Sequence, residues 1–171
     1  MKINPLPPLE ELKESLDYNP DTGIFTWKKQ IANRIKVGEK AGSIDSDSGY
    51  CRIKFKNRLY LTHRIAYYMY HGIEPREKLI DHIDGDKINN KINNLRLATG
   101  SQNNMNRSML GSNNTSGAIG VHWYKRERKW CARVTVDGVQ KFLGYFINKE
   151  DAIKTRKEAA IKYHGEFRGQ D

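Results

Sequence analysis

Apolar positions along the chain recur in short runs and never in long ones. Leu9, Leu12 and Leu16 fall at i, i+3, i+7 behind Pro7-Pro8, a spacing that predicts a short helix with all three on one face. The turn cluster Asn19-Pro20-Asp21-Thr22-Gly23 follows, and Ile24-Phe25-Thr26-Trp27 reads as a strand. The polar stretch from there to Gly49 reads as a loop. Between Tyr50 and Phe55 the residues alternate, with Cys51, Ile53 and Phe55 on one side and Tyr50, Arg52 and Lys54 on the other. Lys56-Asn57-Arg58 turns the chain and Leu59-Tyr60-Leu61 returns it, so a hairpin is predicted. Thr62 is a fair N-cap for a helix over 62–71 that stops at Gly72.

The rhythm changes after Leu79. Leu79-Ile80-Asp81-His82-Ile83 is a short β-like run that breaks into Asp84-Gly85-Asp86, and an asparagine-rich loop leads to a second strand, Leu95-Arg96-Leu97-Ala98. Ser101 can cap a further helix carrying Gln102, Asn103 and Asn106. The run 108–117 is small and polar, which places a domain boundary there. Beyond it come three strands over 120–124, 130–136 and 141–146, the last two joined by Asp137-Gly138. Asn148 can cap a closing helix over 149–163, with Ala152, Ile153, Ala159, Ala160 and Tyr163 available for burial. The pattern is α+β, in two small domains of 1–111 and 112–171.

Composition narrows the choice of partner. In 171 residues, 30 Lys+Arg face 20 Asp+Glu, for a formal net charge of +10. The basic excess is shared, with 18 against 13 in residues 1–111 and 12 against 7 in 112–171. A sequence pI near 9.6 and a mean hydropathy of −0.79 point to thin cores and a polyanionic partner, nucleic acid before an anionic membrane. No stretch approaches the roughly 18 apolar residues of a membrane helix. The first residues, Met1-Lys2-Ile3-Asn4-Pro5, lack the apolar run of a secretory signal. Cys51 and Cys131, far apart and each in a strand-like segment, cannot make a four-thiolate zinc site and read as thiols of a reducing cytoplasm.

One constellation carries chemistry. Cleaving a phosphodiester needs a base for the water, a cation against the phosphate and the leaving oxygen, and close placement of both. Histidine suits the first task. A carboxylate with an amide oxygen makes a hard site that suits Mg²⁺ or Mn²⁺. Adjacent strand residues point to opposite faces, so Asp81 and His82 can serve one phosphate only where the strand ends or twists, as Asp84-Gly85 allows. An EF-hand is excluded, because the position that needs a bidentate Glu is Ile92. Asn89 and Asn93 read as turn residues.

The string Asp81-His82-Ile83-Asp84-Gly85-Asp86-Lys87-Ile88-Asn89-Asn90, then Asn93-Asn94-Leu95-Arg96, then Ser101-Gln102-Asn103, resembles the ββα-metal core of HNH homing endonucleases. It is similar to the phage and intron type, in which an asparagine replaces the last histidine. Thr62-His63-Arg64-Ile65 with Gly72 and Pro75 resembles the segment before that core. The likeness runs from about residue 20 to 107, its core over about 60–107. It implies that His82 is the general base, and that Asp81 and Asn103 hold one divalent cation, Mg²⁺ or Mn²⁺, with no zinc expected. It further implies that Asn94 is a catalytic-site residue that bonds across the loop and orients His82. His63 and Arg64 are candidates for phosphate contact, or for a structural role on their helix.

Residues 116–167 resemble the ethylene-response-factor (APETALA-two) DNA-binding domain. The likeness rests on Ser116-Gly117, Gly120-Val121, Lys129-Trp130, Ala132, Leu143-Gly144, Phe146, Glu150-Asp151-Ala152, Ala159-Ala160 and His164-Gly165-Glu166-Phe167. It implies a three-stranded sheet lying in the major groove with a helix on its other face. Val121, Trp123, Trp130, Ala132 and Val134 would face the helix, and His122, Tyr124, Arg133 and Thr135 would face DNA. Lys125, Arg126, Arg128 and Lys129 would reach phosphates. His122 and Tyr124 stand where arginines usually read guanine, so the family's target does not transfer.

The expectation is a monomeric, intracellular, divalent-metal-dependent endonuclease of phage type. It would nick double-stranded DNA to leave 5′-phosphate and 3′-hydroxyl, with no membrane partner. The rival is a DNA-binding regulator that keeps the fold as a scaffold without cutting. A reader of RNA is disfavoured, because a sheet shaped for the major groove does not fit the deep, narrow groove of an A-form duplex.

Overall fold

The structure, a computed structural model, describes residues 5–106, 110 and 114–168. The expected end of the core at residue 107 and part of the polar run 108–117 lie outside the described residues. The chain divides into two compact units, Met1–Thr99 and Gly100–Asp171, each a mixture of helices and small antiparallel sheets.

In the first unit, α1 (Leu9–Ser15) runs directly into β1 (Leu16–Asn19), which pairs with β2 (Ile24–Trp27). Leu16 is therefore not on the helix as its spacing predicted. It stands at φ −127° and ψ 142°, the first residue of the strand and opposite Trp27. Asn19 folds the turn that follows: its Oδ1 accepts the backbone N–H groups of Asp21 and Thr22, each at 3.0 Å. The polar stretch before Gly49 is not wholly loop, since β3 (Ser43–Ile44) adds to the edge of β4 (Cys51–Phe55). Two residues are too few to leave a periodic signal.

The hairpin of β4 and β5 (Arg58–Leu61) turns through Lys56 and Asn57, both at positive φ (44° and 62°), as a tight two-residue connection requires. Then α2 (Thr62–His71) begins, with Leu61 and not Thr62 at its cap. The Thr62 hydroxyl is buried without a hydrogen-bond partner. Gly72 closes the helix at φ 71°. The last pair, β6 (Leu79–His82) and β7 (Leu95–Ala98), is antiparallel with Asp81 opposite Arg96 and His82 opposite Leu95.

These elements share one core. Leu12, Leu16, Phe25, Ile53, Ile65 and Ile80 pack together, so the N-terminal helix and hairpin, the middle sheet, α2 and β6 fold as one body. A two-stranded ribbon such as β6–β7 is marginal alone, and Ile80 and Leu95 tie it to that core.

In the second unit, α3 (Gly100–Met105) lies against the terminal 3-10 turn Gly165–Phe167. The sheet has the order β10-β9-β8, from Val139–Phe146, Lys129–Val136 and Val121–Tyr124. One face is covered by α4 (Lys149–His164), which brings Ala152, Ala159 and Ala160 into burial. Such small side chains let the helix approach closely, and Ala152 packs on Val121 and Ala132. Tyr163 is not buried as expected; its exposed ring takes the Lys141 ammonium 4.5 Å from its centroid. Trp123 lies edge-on to Trp130 and stays 42% exposed. Gly120 is obligatory, since a Cβ there would sit 2.3 Å from the Arg133 carbonyl oxygen, whose own N–H donates to the Gly120 carbonyl at 2.8 Å. No described helix is long and apolar enough to cross a membrane.

Ile65, fully buried on α2, joins that helix to the shared core. Replacing it with Ala should destabilise the first unit by about 2–5 kcal/mol, read as a lower denaturation midpoint in urea.

Candidate active site

The site gathers at the end of β6, where Asp81 and His82 are both about 5% exposed. Asp81 and Arg96 are cross-strand partners on one face of the ribbon. The Arg96 guanidinium donates from Nε to Asp81 Oδ2 at 2.9 Å, with Nη2 at 2.8 Å from the same oxygen.

His82 turns the other way and enters an aromatic cluster. Its ring lies 5.0 Å from His63, edge to face, and 6.0 Å from Tyr50. His82 Nε2 is 3.2 Å from Asn90 Oδ1. The same amide donates from Nδ2 to the Ile88 carbonyl at 3.3 Å, so its oxygen is the atom turned to the imidazole. Nε2 therefore carries the proton and Nδ1 the lone pair. Burial lowers the His82 pKa, against the opposing pull of the Asn90 bond and of the Asp84, Asp81 and Asp86 charges. The imidazole is neutral at pH 7, the form a base requires.

Asparagine holds the connection between the strands. Asn94 Oδ1 accepts the Asp84 N–H at 3.1 Å, and its Nδ2 donates to Asp84 Oδ1 and to the Asn89 carbonyl, both at 2.9 Å. Asn89 in turn donates from Nδ2 to Asp84 Oδ2 at 2.7 Å. Burial raises the Asp84 pKa, but the bonds from Asn89 and Asn94 outweigh it and hold the carboxyl below its ordinary value. Asn94 thus spans the loop, while Asn90 meets the His82 ring. Asn89 does more than turn the chain, and Asn93 is exposed.

The N-terminal hairpin supports this loop from outside. The Tyr18 hydroxyl donates to the Asn90 carbonyl at 2.7 Å, and the Ile92 N–H donates to the Pro20 carbonyl at 3.0 Å. Gly23, at φ 72°, is packed so closely that a Cβ would lie 2.5 Å from the Asn90 carbonyl carbon. Lys87 crosses from the loop to donate to the Ser48 carbonyl at 2.9 Å, its ammonium 4.9 Å from the Tyr50 ring centroid. Burial, and then the Asp81 charge, push the Tyr50 phenol pKa up.

His63 and Arg64 face inward, each 4% exposed. His63 Nδ1 is buried without a hydrogen-bond partner, and burial lowers the pKa of the ring to about 3, with the His82 and Arg64 charges adding to the effect. Arg64 donates from Nη1 to the Lys78 carbonyl and from Nη2 to that of Arg76, both at 2.9 Å, so it pins the approach to β6. Asn103 is half-buried on α3, in the second unit. On the sheet of that unit His122 and Thr135 are exposed and Tyr124 and Arg133 half-buried, with Lys125, Arg126, Arg128 and Lys129 exposed at the β8–β9 turn.

Among the described residues no three His, Cys, Asp or Glu side chains cluster as a metal cage. Asp81 belongs to the first unit and Asn103 to the second. Cys51 and Cys131 are free thiols, one half-buried and one buried.

This geometry falls in a recognised span. Residues 60–105 match the family model of the HNH endonuclease, so the chain carries an HNH endonuclease domain. Two of three relatives carry that class in their names. The chain is 42% identical over 69 residues to Protein 3.8 of Escherichia phage T7, covering 40% of this chain and 56% of the phage protein. It is 33% identical over 106 residues to the uncharacterized HNH endonuclease L560 of Acanthamoeba polyphaga mimivirus, covering 61% and 54%. A prophage-derived protein of Bacillus subtilis (strain 168), whose name carries the words HNH homing endonuclease, is 36% identical over 103 residues, covering 60% and 58%. The chain thus spans a little over half the length of these curated relatives. No solved structure matches it.

Two outcomes follow from the packing. The unfolded chain binds a proton at His63 near pH 6.5 and the folded chain only near 3, so this residue's contribution is complete above pH 6.5 and is lost as the pH falls toward 3. Thermal unfolding followed from pH 7 to 4 should show a falling midpoint, and His63→Gln should flatten part of that slope. Gly23→Ala should lower stability by about 1–3 kcal/mol through strain and displacement of the Asn90 backbone. It should also lower the rate of any reaction that depends on His82, measured under conditions where the variant stays folded.

Proposed function

We propose that the chain is a divalent-metal-dependent endonuclease that nicks double-stranded DNA. The observation that carries this reading is the buried Asp81-His82 pair, with the imidazole held neutral by burial and oriented by Asn90, inside the span that matches the HNH endonuclease family. Water meets the lone pair of His82 Nδ1 and gives up a proton to it as it attacks phosphorus. The bond to the 3′ oxygen breaks and a solvent water protonates the departing oxygen, leaving 5′-phosphate and 3′-hydroxyl. Asp81, steadied by Arg96, and Asn103 would hold one Mg²⁺ or Mn²⁺. A cation there supplies charge neutralisation at the phosphate and at the departing oxygen. Asn94 keeps the loop closed beneath both residues.

The sheet of the second unit, rimmed by Lys125, Arg126, Arg128 and Lys129, would dock in the major groove and choose the site. The ββα core, built from β6, β7 and α3, and the likeness of the second unit to the APETALA-two domain belong to the same proposal. With one Asp81-His82 pair per chain, a monomer nicks one strand at a time. Viral and prophage relatives favour a mobile-element enzyme of homing type that works inside the infected cell.

Supercoiled plasmid and host genomic DNA incubated with Mg²⁺ or Mn²⁺ test the reading. Metal-dependent conversion to nicked circles is expected. His82→Ala should abolish it at unchanged DNA affinity, and Asp81→Ala should also weaken metal binding. Equal DNA binding with and without EDTA and no cutting of any substrate would replace the enzyme with a DNA-binding regulator. Affinity should drop by roughly 0.9 log units per tenfold rise in salt for each phosphate neutralised.

A further inference from the structure

The sheet of the second unit has one face closed by α4 and one face open, and the open face has an unusual chemistry for a reader of DNA. Register sorts the residues. Val121 and Ala132 are partners packed on Ala152, and Lys141 reaches the Tyr163 ring of α4, so those positions face the helix. Their neighbours in the strands face away: His122 and Tyr145 flank Cys131, Phe142 lies opposite Arg133, and Gln140 lies opposite Thr135.

The open face is apolar at its centre. Phe142 is 55% exposed and Tyr145 42% exposed. Their rings meet edge to face at 4.9 Å, while Tyr145 stacks on Tyr124 at 5.3 Å and 15°. Cations stand at the rim, on the β8–β9 turn beside Tyr124. A cationic rim around an apolar centre matches a duplex groove, where phosphates line the edges and base edges form the floor.

Each base asks for its own partner there. Guanine takes a free guanidinium or ammonium, cytosine a carboxylate, adenine an amide, and thymine an apolar surface for its 5-methyl group. Arg133 is turned along the sheet: its Nη1 donates to Gln140 Oε1 at 3.2 Å and its Nε is buried. None of the strand residues on this face is Asp or Glu. What remains is an amide, Gln140, the Thr135 and His122 side chains, and two exposed rings, with the Lys129 ammonium at the strand end among the cations of the rim. Stacking of unpaired bases fits less well, because Tyr124 and Tyr145 each give one face to the other and Phe142 meets Tyr145 edge to face.

We propose that Phe142 and Tyr145 are specificity-determining residues that read thymine methyl groups in the major groove, with Gln140 and Thr135 beside them, so that the chain favours A·T-rich duplex sites. This rests on the docking of the sheet in DNA proposed above, and not on cleavage. The experiment measures binding of the full chain in EDTA, at one fixed salt concentration. The probes are duplexes of mixed A·T pairs, the same duplexes with uracil in place of thymine, G·C duplexes of equal length, and single-stranded oligothymidylate.

The thymine duplex should bind tightest, and loss of the methyl groups should weaken binding by about fourfold for each one in contact. Phe142→Ser and Tyr145→Ser, checked for an unchanged thermal midpoint, should bring thymine and uracil duplexes together. Equal affinity of the unaltered chain for the two duplexes would overturn the proposal, as would tighter binding of the single strand; neither comparison needs a variant. A chain that prefers thymine yet never nicks would refute the endonuclease and leave this inference standing. Metal-dependent nicking without a methyl effect would do the reverse.

Discussion

The connection from β6 to β7 must hold its shape without secondary structure of its own, apart from a single 3-10 turn at Ile92–Asn94. Everything at the site depends on how that is done. A loop of this length closes at modest entropic cost, but its buried amides and carbonyls need partners. Short polar side chains provide them: Asn94 and Asn89 converge on Asp84, and Asn90 bridges the backbone to His82. Such a network is stiff only when every member is satisfied. The orientation of one imidazole thereby becomes a property of the whole loop.

Much of this could be seen in the sequence. Alternation placed the β4–β5 hairpin and the three strands of the second unit, and Gly72 marked the end of α2, because those signals are local. Asp81 and His82 stood out by chemistry and spacing. Asn90 did not, since Asn89, Asn90, Asn93 and Asn94 look alike until the loop is folded, and only its approach to the His82 ring separates it from its neighbours. His63 and Arg64 were hidden differently. Thr62 to Ala66 are buried in unbroken succession, so α2 has no polar face at its start for an amphipathic pattern to reveal. Leu16 fitted a helical spacing that the hairpin partner Trp27 overrides.

The two units solve the problem of a thin core in different ways. The first gathers large side chains from α1, α2 and six strands around Phe25, Ile53 and Ile65. The second relies on alanine, letting α4 sit low on a sheet face that also carries Trp130 and Phe146, and it leaves Phe142 and Tyr145 exposed on the other side. Exposed rings cost stability in water. Their concentration on one face, with cations at its border, is the arrangement expected of a surface kept for a partner.

The turn at Asn19–Gly23 lies far in sequence from the motif, yet its backbone rests on Asn90 and Lys91. The stretch by which the family is recognised, 60–105, omits that turn altogether. A nuclease module cut out at the limits of recognisable likeness would therefore carry the histidine and lose the wall behind it. Moving this span between genes, by recombination or by design, has to carry the Asn19–Gly23 turn along with it if the loop that holds His82 is to keep its support.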